Sequence, residues 1–199
     1  MEQYQFLNDS ETRDKLLEWW NWLDGSKARF KKNHGRGDRA RLRRVDSPDD
    51  VLLTEAFYHF LQNMPEAWSE PKRLPASALT AAIVSHVKEH NDGKSFAEQL
   101  ATAKTGSDKP FMSELRFRQL QKSHDPSEFY RRLLRAVKML EGKVNILSLV
   151  NDVLHWIHEY QRGVDRNPQE RLAFCWANDY YRTLLKRQPK SNTKGGSTP

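Results

Sequence analysis

Apolar residues recur at helical spacing along most of this chain. Leu16, Trp20 and Leu23 form one stripe, and Leu53, Phe57, Phe60 and Leu61 a second. Leu79, Ile83 and Val87, then Phe129, Leu133, Val137 and Leu140, then Ile146, Val150, Leu154 and Ile157 continue the pattern. Positions three and four apart share one face of a helix, so each stripe predicts an amphipathic helix packed on a core. Three helix starts use one device: Ser47-Pro48-Asp49-Asp50, Asp125-Pro126-Ser127-Glu128 and Asn167-Pro168-Gln169-Glu170. In each, a side-chain oxygen satisfies free N–H groups, proline fills a first-turn position whose N–H is unpaired anyway, and an acid meets the positive end of the dipole. Ser95-Phe96-Ala97-Glu98 is a capping box without proline.

The pattern predicts helices over 10–24, 48–63, 76–90, 95–103, 111–122, 126–141, 146–161 and 168–187, with Gly25 and Gly142 at helix stops. The expected fold is therefore all-α, a bundle of about eight helices. Lys104 to Pro110 reads as a loop. It leaves residues 1–187 as one helical domain, or as two small sub-bundles, 1–103 and 111–187, in contact. The tail, 188–199, is polar and rich in Ser, Thr, Gly and Lys, and is expected to be disordered.

Composition adds a thin core and a sign of charge. Of 199 residues, 37% are hydrophobic and 30% charged, so the six Trp, six Tyr and nine Phe must supply much of the buried area. The net charge of +7 favours polyanionic partners such as nucleic acid or an anionic surface. No apolar run approaches the roughly 18 residues of a membrane span. The start, Met1-Glu2-Gln3-Tyr4, lacks a basic region followed by an apolar stretch, so no signal peptide is visible. The single Cys175 excludes an intramolecular disulfide and fits a reducing compartment. A cytoplasmic protein is expected.

The charge is blocked rather than spread. Nine basic residues and one acid lie between Lys27 and Arg44, so 18 residues carry +8; the next 26, Val45 to Glu70, hold six acids and no Lys or Arg. Gly35 and Gly37 make the start of the basic stretch a mobile loop, able to order itself on phosphates through paired arginine donors. The plain alternative is a solvated basic loop, but density and the preference for arginine favour phosphate. A second zone, Ser113 to Lys143, contains Arg116, Arg118, Lys122, Arg131, Arg132, Arg135, Lys138 and Lys143. Arg131, Arg135 and Lys138 fall at i, i+4 and i+7, a polar stripe opposite Leu133, Val137 and Leu140. Taken alone this stripe reads equally well as a solvated face. Two such zones suggest a surface that follows a nucleic-acid backbone. No recognition-helix pattern stands out, so binding should tolerate sequence and respond to salt.

Other constellations are weaker. His86-Val87-Lys88-Glu89-His90 matches an inverted zinc-protease pattern, yet no following segment clearly supplies a third ligand, and exposed histidines are the simpler reading. His155 is expected to line a helix contact and His158 to face solvent. Cys175, within Leu172-Ala173-Phe174-Cys175-Trp176, reads as a buried, inert thiol. Trp20 is expected in the core, leaving Trp19 or Trp22 for a helix or partner contact. No catalytic residue, metal or cofactor is assigned.

Arg39-Ala40-Arg41-Leu42-Arg43-Arg44, preceded by Trp22-Leu23 and followed by Ala56-Phe57-Tyr58-His59-Phe60-Leu61, resembles the CasB small subunit of type I-E CRISPR Cascade complexes. Leu115-Arg116-Phe117-Arg118-Gln119-Leu120, Phe129-Tyr130-Arg131-Arg132-Leu133-Leu134 and Val137-Lys138-Met139-Leu140 look like the family's other recognisable stretch. The likeness spans roughly residues 16 to 160; an insertion before Arg39 and extra residues near 162–169 and after 187 depart from it. It implies an all-helical, non-enzymatic subunit in two copies per complex. Its partners would be guide RNA, target DNA, and the backbone and large subunits of Cascade. It would steady the guide–target hybrid and the displaced strand in antiviral defence, while a recruited helicase-nuclease cuts. Carried over, the basic positions are Arg43, Arg44, Arg116, Arg118, Arg131 and Arg132, with Lys122 nearby; Arg39, Arg41 and Arg135 join them from the charge pattern. The rival reading is a free-standing, sequence-specific regulator of duplex DNA.

Overall fold

A computed structural model describes residues 4–25 and 35–187. The helices are α1 (Ser10–Asp24), α2 (Arg36–Leu42), α3 (Pro48–Val51), α4 (Glu55–Asn63), α5 (Leu74–Ser85), α6 (Phe96–Ala101), α7 (Glu114–Gln121), α8 (Pro126–Met139), α9 (Ile146–Arg162) and α10 (Leu172–Arg187). Short 3-10 turns cover Glu66–Ser69 and Pro168–Glu170, and two-residue strands β1 (Glu89–His90) and β2 (Lys143–Val144) pair in parallel. The all-α expectation holds. Tail residues 188–199 and Lys27, Arg29, Lys31 and Lys32 lie outside the described residues.

Helix α5 is the hub. Every residue from Ala76 to Ser85 is buried, so it is apolar all round rather than along the stripe of Leu79, Ile83 and Val87. It packs on α3, α8 and α9, and α6 packs on α10, so one apolar core runs through both sides of the 104–110 loop. The small residues of α5, Ala76, Ala78, Ala81 and Ala82, give the surrounding helices room to approach. Ser77 and Ser85 donate to the carbonyls of Trp68 and Ala82, whereas the buried Thr80 hydroxyl has no partner among the described residues.

The caps form as expected at Ser47, Ser95 and Asp125. Several spans change. The predicted helix 48–63 breaks after Val51, because the Thr54 side chain accepts from Phe57 N and starts a new helix, and Leu53 at the break is exposed. The predicted helix 76–90 begins at Leu74 and ends at Ser85, where His86 leads out toward β1. Asn167-Pro168 makes only the 3-10 turn, and α10 starts four residues later. Helix α2 occupies a segment read as loop. Its N-cap, Gly35, packs so closely on the Trp22 ring that a Cβ there would sit 2.4 Å from it. Trp19, expected at a helix or partner contact, meets α4 and is buried in the core beside Trp20, because α4 closes over that face of α1. Cys175 is half-buried rather than buried, since α10 leaves that face open; burial still pushes its thiol upward, away from thiolate chemistry.

Asp152 joins α9 to α10 by accepting from Trp176 Nε1 at 2.8 Å. Burial pushes its carboxyl up to about 7 against the hydrogen bonds from Trp176 and Asn151. A carboxyl raised above its unfolded value adds stability in full below about pH 4 and loses it as pH climbs toward 7, at up to about 1.4 kcal/mol per pH unit. Asp152→Asn keeps an acceptor for Trp176 and removes the charge. The variant should match the parent at pH 4 and be more stable at pH 8 by up to about 4 kcal/mol. Urea unfolding at the two pH values checks this; equal stabilities at pH 8 would refute it.

Candidate nucleic-acid interface

The two basic zones divide into cations held by the protein and cations left facing solvent. In the first zone Arg39 turns inward from α2. Its guanidinium donates to the carbonyls of Ser85 at 3.0 Å and Val87 at 2.5 Å, and pairs with Asp24 at 2.6 Å. It thus closes the C-terminal end of α5, where free carbonyls and the negative end of the dipole meet a cation. Arg41 pairs with Glu55 at 2.6 Å, and Asp38 beneath it lies 2.7 Å from His59 Nδ1. Arg43 and Arg44 end α2, are exposed, and have no acid partner among the described residues.

The second zone sorts the same way. On α8, Arg132 pairs with Glu128 at 2.6 Å and donates to Gln119 O, tying α8 to α7. On α7, Arg118 pairs with Glu114 and donates to the Tyr181 hydroxyl of α10. Arg116, Lys122, Arg131, Arg135 and Lys138 are exposed and have no acid partner among the described residues. Of the ten expected contact residues, Arg39 and Arg132 therefore serve the fold, and Arg41 and Arg118 are engaged in exposed pairs.

The zones meet at His86. Its Nε2 lies 3.4 Å from the Tyr130 hydroxyl of α8. Burial first, then the charges of Arg43, Lys138 and Arg39, push the imidazole down to about 4. Cations from α2 and α8 thus act on one ring, and the ring stays neutral at pH 7. Tyr130, pushed up to about 12 by burial and Asp46, stays protonated. His86 and His90, read as exposed histidines on one helix, are both half-buried and do not share a helix. Glu89 and His90 lie on β1, and His90 Nδ1 accepts from Ile146 N, since the chain leaves α5 before reaching them. No signal in the sequence could have joined His86 to Tyr130 and Arg43, because only the packing of α2, α5 and α8 does so. At the other end of α9, His155 is buried against Phe6 and His158 is exposed, as expected.

This ordered set of helices and basic segments has counterparts. The model of the family described as CRISPR-associated protein Cse2 matches residues 38–181. The chain belongs to the Cse2 family. The match covers both basic stretches of the CasB resemblance and runs past residue 160, into α10. The structure is similar to a Cse2-family CRISPR-associated protein from Thermus thermophilus, with 26% identity and a TM-score of 0.59 over 85% of this chain and 97% of that one. It is also similar to a chain in E. coli Cascade bound to a PAM-containing double-stranded DNA target. There identity is 19% and the TM-score 0.60, over 88% of this chain and 97% of that one. At that identity the likeness shows the fold. Among curated proteins, none matches. No helix among the described residues is long and apolar enough to cross a membrane.

Proposed function

We propose that this Cse2-family chain is the non-catalytic small subunit of an RNA-guided Cascade, holding nucleic-acid backbone on a surface formed by α2, α7 and α8. Its partners are guide RNA, target DNA, the backbone and large subunits, and a second copy of itself. The observation that supports this most is the meeting of the two basic zones at His86, with Arg43, Arg44, Arg131 and Arg135 left free of acid partners among the described residues. Unpaired arginines on α2 and α8, which both pack on α5, offer donors to phosphates without first breaking an internal ion pair. Exchange of a DNA duplex for an RNA–DNA hybrid is nearly balanced in Cas9-type effectors, and the same balance in Cascade lets a few backbone contacts tip it. No chemical step is required of the subunit; target cleavage falls to a recruited partner.

The test is the affinity of guide-loaded complex for target duplex, assembled with and without this chain, across a salt series. If the subunit engages about four phosphates of one strand, its omission should flatten the log–log salt slope by roughly 3. The affinity deficit should be tenfold or more at low salt, and should shrink as salt rises. An unchanged slope would reject backbone binding.

A further inference from the structure

Helix α9 carries a short ladder of parallel rings that ends at the surface. Phe129 of α8 stacks on Trp156 with centroids 4.2 Å apart and planes 11° from parallel. Trp156 stacks in turn on Tyr160, one helical turn further on, at 5.2 Å and 10°. Phe129 and Trp156 are buried, but Tyr160 is 53% exposed. Beside it opens a cavity of about 240 Å³, lined by Trp156, Tyr160, Trp176 and Leu172 and closed on the α7 side by Gln121 and Ser123. Glu159, the acid in this lining, is already engaged by Leu172 N and by His155 Nε2.

We propose that this cavity takes one unpaired nucleobase of a single strand, stacked against Tyr160. The proposal rests on the nucleic-acid reading above and adds a contact to the base rather than to the phosphate. Three features fit a base. The walls are aromatic and flat, and every base has a π-face, so stacking tolerates sequence. The Gln121 amide already donates to Ala173 O, which leaves its oxygen free to accept from a base edge. The cations beside the cavity suit a charged backbone better than an apolar protein segment. Lys122 stands between two lining residues at the end of α7, with Arg118 one turn before it, and exposed Arg162 ends α9 two residues past Tyr160. A strand whose phosphates follow Lys122 and Arg162, which hold no acid partner among the described residues, would deliver its bases to the cavity mouth.

The test uses the full chain and two labelled oligonucleotides of about 12 nucleotides, oligothymidylate and an abasic strand of equal length and charge. The wild-type protein should bind oligothymidylate about tenfold more tightly than the abasic strand, as one stacked base contributes. Tyr160→Ala should abolish that preference and leave abasic binding unchanged, while Tyr160→Phe, which keeps the ring, should retain it. Unaltered melting of both variants shows that they fold. If wild type binds both strands equally, the base site is wrong while phosphate binding stands. If it binds neither strand, the base site and the backbone reading both fail.

Discussion

Converting Arg43, Arg131 and Arg135 together to Glu should weaken target binding by the guide-loaded complex about a hundredfold, at about 1 kcal/mol for each lost backbone contact. The melting temperature of the free chain should not fall, because none of the three holds an acid partner among the described residues. The salt series should read the same loss independently: removing three phosphate contacts to a single strand lowers the log–log slope by about 2. Arg39→Ala and Arg132→Ala are the contrasting pair. Arg39 holds Ser85 O, Val87 O and Asp24, and Arg132 joins Glu128 to Gln119 O, so both variants should lose stability and keep the salt slope. Equal affinity and equal slope for the triple variant at matched salt would remove this surface from the interface.

How the arginines divide between surface and fold is also where the sequence stopped being readable. A run of arginines at Arg39, Arg41, Arg43 and Arg44 announces a cationic segment, and nothing local says that the first of them closes α5. That assignment depends on where Ser85 and Val87 end up, 46 and 48 residues away. By contrast, caps at Ser47, Ser95 and Asp125 were legible because each is satisfied within one turn. Helix α5 was legible as a helix but not as the hub, since Ala, Ser and Thr carry little periodic signal, while their small size is what lets other helices surround it. Leu53 shows the opposite failure: its apolar spacing fits a stripe, but Thr54 restarts the helix and turns that position outward. Local satisfaction can be read from sequence; a group that finds its partner in another helix cannot.

Trp19 carries the largest expected cost to the fold itself. It is 1% exposed on α1 and meets Phe60 of α4 edge-on, with centroids 4.6 Å apart. Trp19→Ala should destabilise the chain by about 3–5 kcal/mol, since the cavity lies among helices that can collapse only in part. In a domain of this size that lowers the melting temperature by about 10 °C. The identity of the residue matters less than its bulk. The Trp19 Nε1 has no hydrogen-bond partner among the described residues, whereas Trp20 Nε1 donates to Val87 O at 3.1 Å. Trp19→Phe removes a buried unpaired donor, which offsets about 1–3 kcal/mol of the lost packing; Trp20→Phe gains no such relief and loses a bond. Trp19→Phe should therefore melt above Trp20→Phe, and the reverse order would mean that the indole N–H of Trp19 is satisfied in solution. The consequence reaches the interface through α1, because the same helix ends at Asp24, the residue that anchors Arg39. A chain loosened at Trp19 should lose the placement of α2, and with it nucleic-acid affinity, only as the whole fold melts. Arg43 substitutions, acting beyond that anchor, should reduce affinity while α1 stays in place.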